Sequence, residues 1–315
     1  MKKKLNLALS GHFKFIATKP DGSQRVLADW FDNLILDSGL NRLGTAGVMD
    51  RCQVGSGNTA PANGQTGLVA LEATTTTIQS TLAGTDTPTN TYAWVRRTFR
   101  FSAGAAEGNL SEVGVGWSDG LFSRALIKDE GGDLTTITVL ADEALDVVYE
   151  LRAYPEMSDQ VVNITISGTE YEFTIRPVRF SGNHGSGNRE WPVQLMSLID
   201  NGAVNAGAGG GASGWYAYDD TASLAAVTAA SCGGVNTVSS GSADNSSSFR
   251  SSYSDNSYER EMRNVFGLAA GGDDFGGFVV LTPVGNYQIV VDPVIPKDAT
   301  KILTLDYTIA WARRA

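Results

Sequence analysis

Histidine and cysteine are nearly absent: His12, His184, Cys52 and Cys232 are the full set in 315 residues. Two distant thiols cannot make a disulfide framework and read as semi-buried side chains. Two isolated histidines, without HExxH or CxxC spacing, give no basis for a zinc site. Charge is sparse as well, 18% of residues against a typical ~25%, and it leans acidic, with a net −10 and a pI near 4.7. Such a chain repels phosphates, so no nucleic-acid partner is expected. Long apolar runs are missing too. No stretch approaches the ~20 residues that a membrane-spanning helix needs, and no membrane insertion is expected. The apolar part of the N-terminal Met1–Ser10 segment is only Leu5–Leu9, interrupted by Asn6. That falls short of a signal-peptide core, so the segment reads as a first strand of a soluble chain made in a cytoplasm.

Catalytic signatures are equally scarce. No Gly-x-Ser-x-Gly elbow lies between a strand and a helix, and neither Gly55-Ser-Gly57 nor Gly185-Ser-Gly187 is followed by the lysine of a phosphate loop. The acidic pairs Asp142-Glu143, Asp219-Asp220 and Asp273-Asp274 are adjacent residues, which face opposite ways on a strand, so they are poor glycosidase carboxylates. A loop could fold Asp273 and Asp274 around calcium, but solvated turn charges are far commoner. No catalytic, metal-ligating or cofactor-binding residue is assigned, and the chain is expected not to be an enzyme.

What the chain has in abundance is glycine, 36 residues, together with Thr, Ser, Asn and Val. That balance favours β-structure. Leu5–Ala17, a Lys19–Ser23 turn and Arg25–Ile35 predict a hairpin. Tyr92–Phe101 alternates with period two, and Leu110–Gly116 and Leu121–Ile127 flank the Trp117–Gly120 turn. Leu134–Leu140, Ala144–Tyr154 and Val161–Ile175 continue the pattern, whereas Leu68–Leu82 reads as either strand or short helix. The fold class expected is all-β, mainly antiparallel sandwich or barrel-like domains with few short helices.

Two domains are expected, 1–157 and 158–315. A duplication is one reading of them, because Tyr92-x4-Arg97 is echoed by Tyr258-x4-Arg263; two unrelated β-domains are the other. The second carries a Gly/Ser/Asn-rich insertion at about 201–258. Its Trp215, Tyr216, Tyr218 and Tyr253 are the candidate glycan or partner contacts, because Tyr and Trp among Ser, Gly and Asn suit adaptable recognition.

One stretch, Phe31–Leu68, organises the first half. Leu34–Leu36 is apolar and short, as a buried strand would be. Leu40 and Leu43 share one face of a helical turn, with Asp37 or Ser38 as N-cap and Gly44 as its end. Cys52–Pro61 then runs from a brief strand into a polar loop shaped by Gly, Asn and Pro. The pattern Asn33-Leu-Ile-Leu-Asp-Ser-Gly39-Leu40-Asn-Arg-Leu43, followed by Val54-Gly55-Ser-Gly57-Asn-Thr-Ala-Pro61, resembles a segment of structural proteins in tailed-bacteriophage tails: fibre, baseplate and tail-tip components.

The resemblance covers about 40 residues. It implies a virion protein that is made in the host cytoplasm and assembles into the tail. Its partners would be other phage tail proteins and copies of itself, with a host surface glycan or protein as a further partner. Two alternatives carry different requirements. A carbohydrate-binding surface β-protein would need an export signal. A polysaccharide-degrading tail enzyme would need paired carboxylates in a groove.

Overall fold

The structure is a computed structural model that describes residues 3–87, 91–178, 190–205, 215–229, 237–242, 249–270, 274–282 and 284–314. It is built almost wholly from antiparallel strands. The chain falls into two compact units. One comprises Ala8–Tyr154, Ile199–Gly202 and Ala312–Ala315; the other comprises Met1–Leu7, Pro155–Leu198 and Ala203–Trp311. We call them the N-terminal and C-terminal units. The main division falls at Tyr154/Pro155, while short pieces at both chain ends and within one helix are exchanged.

The first half runs β1 (Lys3–Thr18), β2 (Gln24–Asp32), β3 (Leu34–Ile35), α1 (Asp37–Leu43), β4 (Arg51–Gly55), β5 (Leu71–Thr75) and β6 (Ile78–Asp86). It continues with β7 (Tyr92–Phe101), β8 (Gly108–Leu110), β9 (Glu112–Trp117), β10 (Gly120–Leu126), β11 (Ile137–Val139) and β12 (Ala144–Pro155). The expected β1–β2 and β9–β10 hairpins are present. Leu68–Leu82, open between helix and strand, supplies β5 and the start of β6, as its β-branched threonines favour. In the N-terminal unit one sheet has the order β3-β10-β9-β4-β5, and β1, β12, β7 and β6 are successive neighbours in another. Phe13, Phe15, Phe31, Phe122 and Tyr149 form an aromatic core with ring centroids 4.8–6.5 Å apart.

The second half continues with β13 (Gln160–Ile166), β14 (Thr169–Pro177), α2 (Trp191–Asn205), β15 (Trp215–Tyr218), β16 (Thr237–Ser242) and β17 (Phe249–Arg250). It ends with β18 (Glu259–Phe266), β19 (Phe275–Thr282), β20 (Gly285–Ile295) and β21 (Leu303–Arg313). Helix α2 goes beyond what the sequence reading predicts. Its signal is Trp191, Leu195, Leu198 and Ile199, all buried and spaced i, i+4, i+7, i+8, with Pro192 tolerated in the first turn. Gly202 (φ 73°) leaves helical geometry near its end.

The two units share one connectivity. Within the six-stranded C-terminal sheet β13-β14-β20-β19-β15-β16, the run from β14 to β16 matches β3-β10-β9-β4-β5, with β13 added at the β14 edge, and β17-β18-β21 matches β6-β7-β12. A helix follows the first strand of each set, α1 after β3 and α2 after β14. The sequence echo that suggests duplication is, however, one residue out of step. The β7/β12 ladder closes at Phe101↔Leu145 and the β18/β21 ladder at Phe266↔Leu303. Phe101 is therefore the structural counterpart of Phe266, 165 residues on (266 − 101), whereas Arg97 and Arg263 are 166 apart (263 − 97). A one-residue slip reverses the face of every side chain in a strand. Arg97 accordingly points inward, 7% exposed, and Arg263 outward, 41% exposed.

Candidate functional site

The Phe31–Leu68 stretch contains β3, α1 and β4 and ends in a surface loop held from beneath by a buried ion pair. Helix α1 begins at Asp37 with Leu36 at the N-cap position and no side-chain cap, so neither Asp37 nor Ser38 caps it. Asp37 instead pairs with Arg313, and the Ser38 hydroxyl donates to the Leu121 carbonyl at 2.9 Å. Gly44 does end the helix, but in right-handed geometry (φ −64°). Gly39 is required by close approach, since a Cβ there would lie 2.5 Å from the Phe122 carbonyl oxygen. Leu40 and Leu43 are fully buried.

Beyond β4 the loop is clamped by Glu112 and Arg124, both with side chains 0% exposed. The Glu112 carboxylate accepts from the backbone N–H groups of Gly57, Val69 and Ala70 at 3.1, 3.1 and 2.7 Å, and from Arg124 Nε at 3.0 Å. Arg124 in turn donates to the Thr59 carbonyl at 2.8 Å and to Gln65 Oε1 at 2.9 Å. Burial opposes ionisation of Glu112, but the Ala70 N–H, Arg124 and the Val69 N–H together hold its carboxyl below the usual glutamate value. A Cβ on Gly57 would sit 2.4 Å from Glu112 Oε1. The glycines of the motif thus serve the clamp; the loop is a rigid shape with no reactive group.

Every buried carboxylate among the described residues is spoken for in this way. Glu112 pairs with Arg124, Glu143 with Arg25, Asp146 with Arg100, and Glu150 with both Arg96 and Arg152. For Glu143 the Arg25 guanidinium is the main cause, and the Leu140 N–H adds to it; together they lower the carboxyl to about 2. A carboxyl depressed in the folded state stabilises fully above its unfolded value, 4.5, and loses that contribution as pH falls towards 2. Glu143→Gln should therefore weaken the N-terminal unit at pH 6 in urea titrations, and its deficit should shrink steadily as the titrations are repeated from pH 4.5 down to pH 2.5. A deficit that stays constant over that range would contradict the pairing.

The outward face of β1, β12 and β7 carries a different assembly. Trp94 and Arg96 point out from β7, and Trp30 reaches the same guanidinium from β2. The Arg96 guanidinium carbon lies 5.0 Å from the Trp30 ring and 4.9 Å from the Trp94 ring, with its Nε 2.9 Å from Glu150 Oε2. Further along, Arg152 stacks over Tyr92 at 5.0 Å, Tyr92 lies against Tyr154 at 5.1 Å, and Arg314 covers Tyr154 at 3.7 Å. Lys14 bonds Asp29 at 2.8 Å and His12 bonds Asp32 at 2.8 Å at the β1 side. Burial, with Arg152 adding to it, lowers the His12 pKa, which keeps the imidazole neutral near pH 7. Trp30 remains 37% exposed. Trp, Tyr and Arg held in fixed rotamers by mutual stacking are the composition of interface hot spots. The alternation of Trp94 and Arg96 is visible in sequence; their meeting with Trp30 and Arg152 depends on strand register.

The aromatic residues that the sequence singles out are placed elsewhere. Tyr218 is only 5% exposed and packs with Val178, Val279 and Leu281. Its ring contributes to a core and offers no surface to a glycan. Tyr253 stacks on Trp311 with centroids 5.9 Å apart, and its hydroxyl accepts the Tyr258 N–H. Trp215 and Tyr216 lie on β15 between β19 and β16, and their side chains fall outside the described residues. His184, Cys232 and Asp273 also fall outside them, while Cys52 is buried and free. No group of three or more potential metal ligands occurs among the described residues, and no helix among them is long and apolar enough to cross a membrane. Comparison with protein-family models, with curated proteins and with solved structures returns no match to this chain.

Proposed function

We propose that this chain is a structural, non-catalytic component of a tailed-phage tail, working by docking to neighbouring subunits. The observation that carries the reading is the Trp30–Arg96–Trp94 face: a preorganised, nearly charge-balanced aromatic surface on an otherwise acidic chain. Such a surface costs little side-chain entropy to engage and carries most of the binding energy where it is used. The clamped 56–70 loop, whose Gly57 and Pro61 belong to the motif behind the resemblance, adds a second shaped surface. Among the described residues each buried carboxylate is tied to an arginine, an arrangement that serves the fold and supports a non-enzymatic role.

The test is co-purification of the tagged chain with the tail proteins of its phage, combined with antibody labelling of intact particles. Retention of tail proteins by the wild type, with loss on Trp30→Ala plus Arg96→Ala, is the expected result. Absence of label on particles and of any retained tail protein would reject the reading. The exposed Trp30 ring favours one further role for the same face, attachment to a host surface glycan. A glycan array with Trp30→Ala as control reads it directly, and an array with no wild-type signal rejects it.

A further inference from the structure

The N-terminal unit ends in an open sheet edge of unusual character. Strand β6 is the terminal strand beside β7 and, among the described residues, pairs on that side only. Its nine residues are all at least partly exposed, and Ile78–Ala83 are exposed outright. Cross-strand pairs share a face, so Thr81 opposite the buried Arg97 and Ala83 opposite the buried Val95 belong to the inner face, yet both are exposed. The edge overhangs the core.

Natural sheet edges are guarded by lysines, prolines, inward charges, bulges or short length, because outward N–H and C=O groups otherwise recruit another strand. Between Leu71 and Asp86 there is no Lys, Arg or Pro. The one irregularity, a register shift between Ile78 and Ser80, lies at the start of the strand and leaves Ser80–Asp86 regular. Of the eleven exposed large apolar residues among those described, three fall in this short segment, Leu71, Ile78 and Leu82, the last two on β6 itself.

We infer that β6 pairs antiparallel with β6 of a second copy of this chain, about a two-fold axis near Leu82. Charge selects that occupant. β6 carries one charge, Asp86 at its last position, and Glu72 is the only other charged residue from Cys52 to Asp86; a two-fold at Leu82 sets each Asp86 opposite Ile78, so two copies of a chain of net charge −10 can approach here without the repulsion they meet elsewhere. The two-fold brings Leu82 beside its own copy and Ser80 opposite Gly84, with no like charges across the pair. The inference deepens the assembly reading by naming a surface, and it rests on that reading only in taking a copy of the chain as the neighbour.

Light scattering across a concentration series tests it on the full chain. The wild type should form dimers, and Leu82→Lys should weaken dimerisation at least about tenfold, with an unchanged circular dichroism spectrum because Leu82 is 55% exposed. Val26→Lys, equally exposed on β2, should dimerise as the wild type does. Leu82→Cys should crosslink to its own copy on oxidation, and mass spectrometry should find the disulfide joining the same peptide from two chains through their introduced thiols. A wild type that stays monomeric throughout, or a Leu82→Lys chain that associates as well as the wild type, overturns the pairing. If Leu82→Lys still co-purifies with tail proteins, the docking reading stands whatever becomes of β6.

Discussion

Glu112→Gln should lower the stability of the N-terminal unit by about 3–5 kcal/mol, since it leaves a wholly buried guanidinium without its counter-charge. The substitution keeps the shape of the side chain, so lost packing cannot account for the effect. Arg124 would be left with uncharged acceptors alone, the Thr59 carbonyl, Gln65 Oε1 and the amide oxygen of the new side chain. The Gly57, Val69 and Ala70 N–H groups would also trade a carboxylate for a weaker amide acceptor. Against a total of roughly 5–15 kcal/mol for a domain, this change alone approaches global unfolding. Urea denaturation followed by tryptophan fluorescence measures it, and limited proteolysis should show cleavage within 56–70 before the rest of the unit. The double replacement Glu112→Leu with Arg124→Met should recover much of the loss, because it removes both charges together. A Glu112→Gln chain within about 0.5 kcal/mol of the wild type, the range of an ordinary surface change, would show that the clamp does not hold the loop.

Leu40→Asp and Leu43→Asp should each abolish folding of the N-terminal unit. Both side chains are at most 1% exposed, and truncating such a leucine to alanine already costs ~2–5 kcal/mol. A carboxylate in the same place adds a desolvation penalty with no arginine to meet it. The contrast lies in the loop tip: Ser56 and Asn58 are exposed, and the Ser56 hydroxyl makes one solvent-facing bond to Glu72. Ser56→Ala and Asn58→Ala should stay within about 0.5 kcal/mol of the wild type. Near-ultraviolet circular dichroism of the four variants separates the two classes. A folded, cooperative Leu43→Asp chain would show that α1 is not a core element.

Much of the fold is legible in the chain because its signals are local. The alternation in Tyr92–Phe101 and Ala144–Tyr154 sets which side chains face inward, and the structure follows it residue for residue along β7. Gly/Asp turns and β-branched runs favour an all-β architecture over any helical one. The same locality explains where the reading falls short. The apolar periodicity of helix α2 is embedded between Gly-rich segments that dominate the composition of the region and mask it. Asp37 and Ser38 have the right chemistry for an N-cap, yet the cap lies at Leu36 because both have other partners to satisfy, Arg313 and the Leu121 carbonyl. Tyr218 has the sequence setting of a contact residue, beside a Ser- and Gly-rich segment, but its strand turns that ring into a core with Val279 and Leu281.

What the sequence determined by itself is the class: antiparallel β, poor in charge, with an internal echo and no catalytic motif in its spacing. Composition and period suffice for that, since they depend on each residue and its near neighbours. The tertiary structure alone decided which residues meet. Glu112 and Arg124 are twelve positions apart but clasp a loop up to 55 residues away from Glu112, Trp30 reaches Arg96 across strands, and β18 matches β7 at an offset of 165 residues rather than 166. Register between distant strands is a long-range property, and a shift of one residue exchanges core for surface. That is why the meeting of Trp30 with Arg96 and Trp94, and the position of β6 at a sheet edge, follow only from the paired sheets, although the alternation in β7 and the uncharged run before Asp86 are local.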